Sequence, residues 1–148
     1  MIHEHGARKL FLITGAKKNP FSNARTTAFK KALEGCGIPF DENNVGYGDF
    51  WDRPTLDLMT QWFEVEKRSL PDAIICANDS MAITASGYLQ QCGYSIPEDC
   101  IITGFDGIEQ ANFHLPHITT CQQDYKKMSR IILDTINAAE RGENESTE

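Results

Sequence analysis

The sequence predicts an α/β fold, with a parallel sheet flanked by helices on both faces. Three observations carry this. Short apolar runs alternate with stretches of helical amphipathic spacing, in the order β-α-β-α-β-α-β through residue 106. The apolar run at 73–77 is continuous rather than alternating, as in strands of a parallel sheet buried on both sides. Segment 71–106, PDAIICANDSMAITASGYLQQCGYSIPEDCIITGFD, forms one strand–helix–strand unit. Such a unit leaves Asn78, Asp79 and Asp106 at the carboxyl ends of neighbouring strands. That edge is where open α/β sheets bind ligands.

Each element has its own warrant. Residues 8–14 (RKLFLIT) form a strand and Gly15 starts a turn. After the loop AKKNPFSN, a helix beginning near Ser22 or Asn23 carries Ala28, Phe29, Ala32, Leu33 and Cys36 on one face. Gly35 and Gly37 end it. A short strand lies within 43–50, its pairing limited by two glycines. Asp52 is expected to cap the next helix, with Pro54 in its first turn and Leu58, Met59, Trp62, Phe63 and Val65 on its apolar face. The central helix follows, opened by Asn78 or Asp79. It carries Met81, Ala82, Ala85, Leu89 and Cys92, and Gly93 ends it. The next strand covers 100–105. Residues 110–117 are expected to be an irregular loop and 118–122 a short extended segment. A last helix covers residues 125–140, with Met128, Ile131, Ile132, Thr135, Ile136 and Ala139 in its stripe. The tail RGENESTE is acidic, polar and expected to be disordered.

Composition narrows the class. At 148 residues, the chain is long enough for one sizeable core. No apolar run approaches the roughly 20 residues of a membrane span. No leader is visible at the start, so the cytoplasm is the expected compartment. The net charge of −7 disfavours a grip on nucleic acid by this chain itself. Five cysteines, odd in number and without C-x-x-C spacing, are expected to be buried free thiols. His114 and His117 flank Leu115-Pro116 without the spacing of a metal pair, and His3 and His5 sit at an end expected to fray. Gly46-Tyr47-Gly48 lacks the third glycine of a dinucleotide fingerprint, and neither a G-x-S-x-G elbow nor a P-loop occurs. No metal and no cofactor are expected.

Four motifs stand in register: Ala77-Asn78-Asp79, Ile96-Pro97-Glu98-Asp99, Gly104-Phe105-Asp106 and Thr119-Thr120-Cys121-Gln122-Gln123. Together they resemble the effector-binding domain of the LacI/GalR family of bacterial transcriptional regulators. That domain shares its fold with periplasmic sugar-binding proteins. The resemblance implies a two-lobed domain of which residues 1–122 form the second lobe. Residues 123–141 would be the crossover helix that packs on the first lobe, and residues 142–148 a disordered tail. The DNA-binding headpiece and the first lobe would lie outside this chain.

The resemblance also implies a site. Arg25 matches the arginine of the family's R-x-x-G-F, with Ala28 in place of the glycine. Its guanidinium offers a rigid fork of donors to vicinal hydroxyls or a carboxylate; on spacing alone it is an ordinary solvated arginine. Asp106 can accept from two hydroxyls at once, or simply begin an Asp-Gly turn with Gly107, where the family often has a second aspartate. Asn78 can bridge ligand groups, whereas Asp79 is expected to cap the helix. Phe50 matches a stacking aromatic and Tyr125 a second one near the crossover; packing is the alternative for both. The implied partners are a small-molecule effector, carbohydrate or purine-like, a second copy of the chain in a homodimer, and DNA only through the headpiece; no membrane is implied. A sugar receptor of a transport system, with the same fold, is the alternative. A phosphotransfer enzyme using Asp79 or Asp106 is disfavoured, because the acids are dispersed and no base–nucleophile pair is evident.

Overall fold

The computed structural model describes residues 1–142. Nearly all of the tail expected to be disordered therefore lies outside the described residues. Five strands form one sheet in the order β2-β1-β3-β4-β5, parallel throughout. They are β1 (Leu10–Thr14), β2 (Val45–Tyr47), β3 (Ala73–Cys76), β4 (Ile101–Asp106) and β5 (Thr119–Gln122). The segment expected at 118–122 is thus a fifth strand, whose Asp106↔Gln122 pairing extends the ligand-side edge. Asp72 fixes the opposite edge. Its Oδ2 accepts from the Lys9 and Arg8 amides at 2.8 and 2.7 Å, and these bonds hold its carboxyl below the usual range.

The sheet is wrapped by α2 (Pro20–Gly35), α3 (Asp52–Thr60) and α4 (Asp79–Gln91). Side-chain alternation along the strands makes two cores. Phe11, Ile13, Ile74, Cys76 and Ile102 pack with Met59, Trp62, Met81 and Leu89 of the α3–α4 layer. Leu10, Leu12 and Ala73 meet Phe29 and Leu33 of α2 on the other face. The second face is less completely covered: Ile75, Ile101 and Thr103 are half-buried and Phe105 is exposed, while Ile74, Cys76 and Ile102 on the first face are buried. One helix cannot span five strands.

Several boundaries differ from those expected. Helix α2 starts at Pro20, because the Asn19 side chain accepts from the Phe21 amide at 2.8 Å and proline needs no donor partner in the first turn. Asp52 is the first residue of α3 rather than its cap. Trp51 holds that place by its extended backbone, and its carbonyl accepts from Thr55 Oγ1 at 2.8 Å. A π-helical turn, Gln61–Val65, continues α3 and leaves Val65 exposed. The expected frayed start is a short helix, α1 (Ile2–His5), closed by Gly6 at φ 69°. Met1 and Ile2 pack on the α2-side core. The first part of the expected loop is instead helical, in α5 (Glu109–Phe113). Of the cysteines, Cys76 and Cys100 are buried, whereas Cys92 and Cys121 are exposed and all five are free. Cys92 sits at the end of α4, and Cys121 lies on the edge strand, where no helix covers it. Burial pushes the Cys100 thiol up to about 12 and the Cys76 thiol higher still.

The last helix, α6 (Tyr125–Glu140), buries no residue, and Met128, Ile131, Ile132, Leu133 and Ile136 are all exposed. Its amphipathic stripe therefore contributes nothing to this core. Met81→Ala is expected to cost about 2–5 kcal/mol, because a fully buried side chain leaves a cavity. Ile132→Ser should stay within about 0.5 kcal/mol of wild type. Urea unfolding of the two variants measures both.

His114 closes α5, with its Nε2 2.9 Å from Oγ of the buried Ser86. Desolvation holds its imidazole below the ordinary histidine range. The folded state therefore favours neutral His114, and the unfolded state binds the extra proton first as pH falls. Stability is expected to decline as pH drops through about 6.5. The decline should be smaller in His114→Gln, read from urea midpoints at pH 7.5 and pH 5.5.

Candidate ligand-binding site

A parallel sheet sends every strand's carboxyl end to one edge, and the polar residues that follow β1 to β4 gather there. Phe50 follows β2. It takes φ 65°, and Asp49 before it takes φ 51°. Two successive left-handed residues without a glycine are costly and mark a backbone held in place for a purpose. Two contacts hold it. The Asn78 amide donates from Nδ2 to the Phe50 carbonyl at 3.0 Å. The Phe50 ring lies against the backbone of Gly15, where a Cβ would come within 1.9 Å of ring carbon Cε2. Any side chain at 15 would displace the ring.

Asn78 is the N-cap of α4, its Oδ1 accepting from the Met81 amide at 2.9 Å. It thus joins α4 to the Phe50 loop. The amide keeps one N–H and one oxygen lone pair for a ligand. Arg25, half-buried on α2, places its guanidinium 5.7 Å from the Phe50 ring centroid and 5.6 Å from that of Phe105. Among the described residues its only backbone tie is a long bond from Nη1 to the Phe21 carbonyl, at 3.4 Å. Most of its donor fork remains open.

Asp106 ends β4 with φ 109°, and Gly107 follows with φ 70°. Its Oδ1 accepts from Gln123 Nε2 at 2.7 Å, and its carbonyl accepts from the Tyr125 hydroxyl at 3.3 Å. Oδ2 has no hydrogen-bond partner among the described residues. The Asp-Gly turn and the open carboxyl oxygen therefore coexist. Tyr125 is half-exposed at the start of α6, where the chain leaves the sheet. The five residues predicted from the sequence thus fall into two contact groups, Arg25 on Phe50 and Phe105 with Phe50 held by Asn78, and Asp106 with Tyr125, which meet where Phe105 and Asp106 are neighbours in β4.

Two participants were not assigned a role from the sequence, and a third was assigned a different one. Phe105 supplies a second ring to Arg25, and Gln123 orients Asp106. Both stand within quoted motifs, which was the available signal. Asp79 is the third. It does not cap α4, because Asn78 does; it is fully buried and accepts from the Ile108 amide through Oδ2 at 2.8 Å.

An apolar groove of about 640 Å³ runs between α2 and the thinly covered sheet face, past Leu12, Phe29 and Ile75. It reaches the array only at Arg25 and Phe105; Asn78, Asp106 and Tyr125 lie outside it. The groove follows from incomplete helix cover, and the polar array from strand-end convergence. Among the described residues no group of three or more histidine, cysteine or acidic side chains could hold a metal.

A parallel sheet with ligand-type residues at its carboxyl edge and a departing unpartnered helix defines a lobe of the periplasmic-binding-protein type. The sequence matches the periplasmic binding protein-like domain over residues 1–148, and the chain belongs to that family. It is 32% identical over 137 residues to the HTH-type transcriptional repressor PurR of Vibrio atlanticus (strain LGP32), covering 90% of this chain and 40% of that protein. It is 29% identical over 145 residues to the repressor CytR of Escherichia coli (strain K12), covering 95% and 42%. Among solved structures, the complex of the transcriptional regulator CelR with cellobiose superposes with a TM-score of 0.86 at 26% identity, over 97% of this chain and 43% of that one. The lac repressor dimer bound to operator and the anti-inducer ONPF superposes at 0.83 and 22% identity, over 96% and 48%, a likeness of fold alone. The chain spans about two-fifths of the length of the curated relatives it matches.

Asn78→Ala is expected to cost about 1–2 kcal/mol through loss of the cap, and to release Phe50 from its left-handed conformation. A urea melt gives the first effect. A changed Phe50 amide resonance, with β1 resonances unmoved, gives the second.

Proposed function

We propose that this chain is the effector-facing lobe of a LacI/GalR-type transcriptional regulator. It forms one wall of a cleft for a small molecule rich in hydroxyls or ring nitrogens, of the carbohydrate or purine-like class. The observation that carries this is the convergence of Arg25, Phe50, Asn78, Asp106 and Tyr125 at one sheet edge with hydrogen-bonding capacity to spare. A rigid cationic fork, an open carboxyl oxygen and a ring suit a flat, polyhydroxylated ligand. The solved CelR relative is named as a cellobiose complex, which supports the carbohydrate class.

The remaining parts follow the same reading. Residues 1–122 are the lobe, ending with β5, and residues 123–141 are the crossover, whose exposed stripe packs on a first lobe outside this chain. The effector prefers one arrangement of the two lobes and so shifts their population, which a DNA-binding headpiece reports. Phe113 and Leu115, 76% and 72% exposed on the α5 turn, suit burial in a homodimer. The net charge of −7 leaves DNA contact to the headpiece. No helix among the described residues is long and apolar enough to cross a membrane, and the repressor relatives favour a cytoplasmic, non-enzymatic role.

One wall should bind weakly but measurably. Titration of the ¹⁵N-labelled chain with ribose, glucose, cellobiose, adenine and adenosine at millimolar concentration is expected to move the Phe50, Asn78 and Asp106 amides with at least one compound. Asp106→Ala or Arg25→Ala should weaken that binding by about tenfold or more. A panel that moves none of these amides, or moves them equally in Asp106→Ala, would overturn the reading.

A further inference from the structure

Asp79 is a fully buried acid beside a site it does not enter. It opens α4, where a negative group is favoured by the helix N-terminus. One oxygen, Oδ2, takes the Ile108 amide at 2.8 Å. The other, Oδ1, is buried with no hydrogen-bond partner among the described residues. It faces Gly104 so closely that a Cβ there would come within 2.1 Å of it. Burying an acid with an unsatisfied oxygen is costly, and an apolar residue would fill the space at less expense. A helix cap cannot be the reason, since Asn78 already serves the Met81 amide.

What Asp79 does hold is the segment just after Asp106. Asp106 and Gly107 both stand at positive φ, 109° and 70°, and the first is a conformation that a side-chain-bearing residue adopts only under constraint. Constraint comes from both sides. Gly107 donates its amide to Thr120 Oγ1 at 3.2 Å, and Ile108 donates to Asp79. Gln122 packs so close to Gly107 that a Cβ would meet its side chain at 2.6 Å. Asp79 is the side chain that ties the 106–108 backbone to α4; the other bonds of this backbone run to the edge strand β5, to Gln123 and Tyr125 just after it, and from the Ala111 amide to the Ile108 carbonyl at 3.1 Å.

We propose that Asp79 is a positioning residue for the cleft: by anchoring the Ile108 amide to the start of α4, it imposes the positive-φ backbone that aims the Asp106 carboxyl at the effector. The proposal rests on the reading of the cleft given above. It adds that one interaction fixes Asp106 relative to Asn78, because both ends of the clamp meet at the first turn of α4.

The test compares Asp79→Ala, Asp79→Asn and Asp106→Ala in the 148-residue chain by amide hydrogen exchange and by the same ¹⁵N titrations. In Asp79→Ala, exchange at Ile108 is expected to rise about tenfold or more, with β1 and β3 amides unchanged and far-UV circular dichroism retained. Binding of whichever panel compound moves the wild-type site should fall about as far as in Asp106→Ala. Asp79→Asn keeps an acceptor for Ile108 and should restore most of both. Faster exchange across the whole sheet in Asp79→Ala, or unchanged exchange at Ile108, would overturn the proposal, since either gives Asp79 a merely structural role. So would full binding by Asp79→Ala where Asp106→Ala has lost it. A wild-type chain that binds nothing in the panel refutes the cleft reading instead, and the exchange measurement still decides whether Asp79 sets the 106–108 backbone.

Discussion

The parallel direction of all five strands is the constraint on which the rest of this molecule depends. A parallel pair cannot be closed by a tight turn, so each strand must be followed by a crossover that starts at the same edge. Every polar residue needed to leave β1, β2, β3 and β4 is delivered there. Gly15, Phe50, Asn78 and Asp106 come from sequence positions far apart, yet each is the residue at which the chain turns away from the sheet. The array is a by-product of topology, made specific by a few side-chain ties.

Those ties share a physical character. Asn78 spends half of its amide on a helix and a loop. Asp106 spends one oxygen on Gln123. Arg25 lies over two aromatic rings rather than against an acid. In each case the group is oriented by one or two protein contacts while keeping capacity for another. A pre-oriented side chain loses less freedom when a ligand arrives, and that saving is larger than most single surface contacts supply. The positive-φ residues at 49, 50 and 106 belong to the same economy: local strain is tolerated where the surrounding hydrogen bonds fix it.

Much of this was legible in the sequence. The continuous run at 73–77 and the helix bearing Met81, Ala85 and Leu89 carry a strong period, and they appear where that period puts them. Asn78 and Asp106 were legible because strand ends are easy to find and two of the four motifs hold them, whereas Arg25, Phe50 and Tyr125 were named only through the family resemblance. Other features were hidden for identifiable reasons. The five residues of α5 are too few to show a period, and Pro116 nearby suggests a loop. Val65 keeps helical spacing in the sequence, but a π-turn rotates it off the buried face. Asn78 and Asp79 are equally good caps, and only the backbone decides between them. The partner of Asp79 is a main-chain amide 29 residues away, which no side-chain pattern encodes.

The contact between Gly15 and the Phe50 ring has an evolutionary consequence. The ring occupies the volume that a side chain at 15 would need, so the two positions share one space. Neither can change size alone. A relative that carries a larger residue at the first position must have withdrawn or shrunk the aromatic at the second. The pair is therefore expected to covary, and the size of residue 15 becomes a marker, readable in any related sequence, of whether an aromatic ring can stand at position 50.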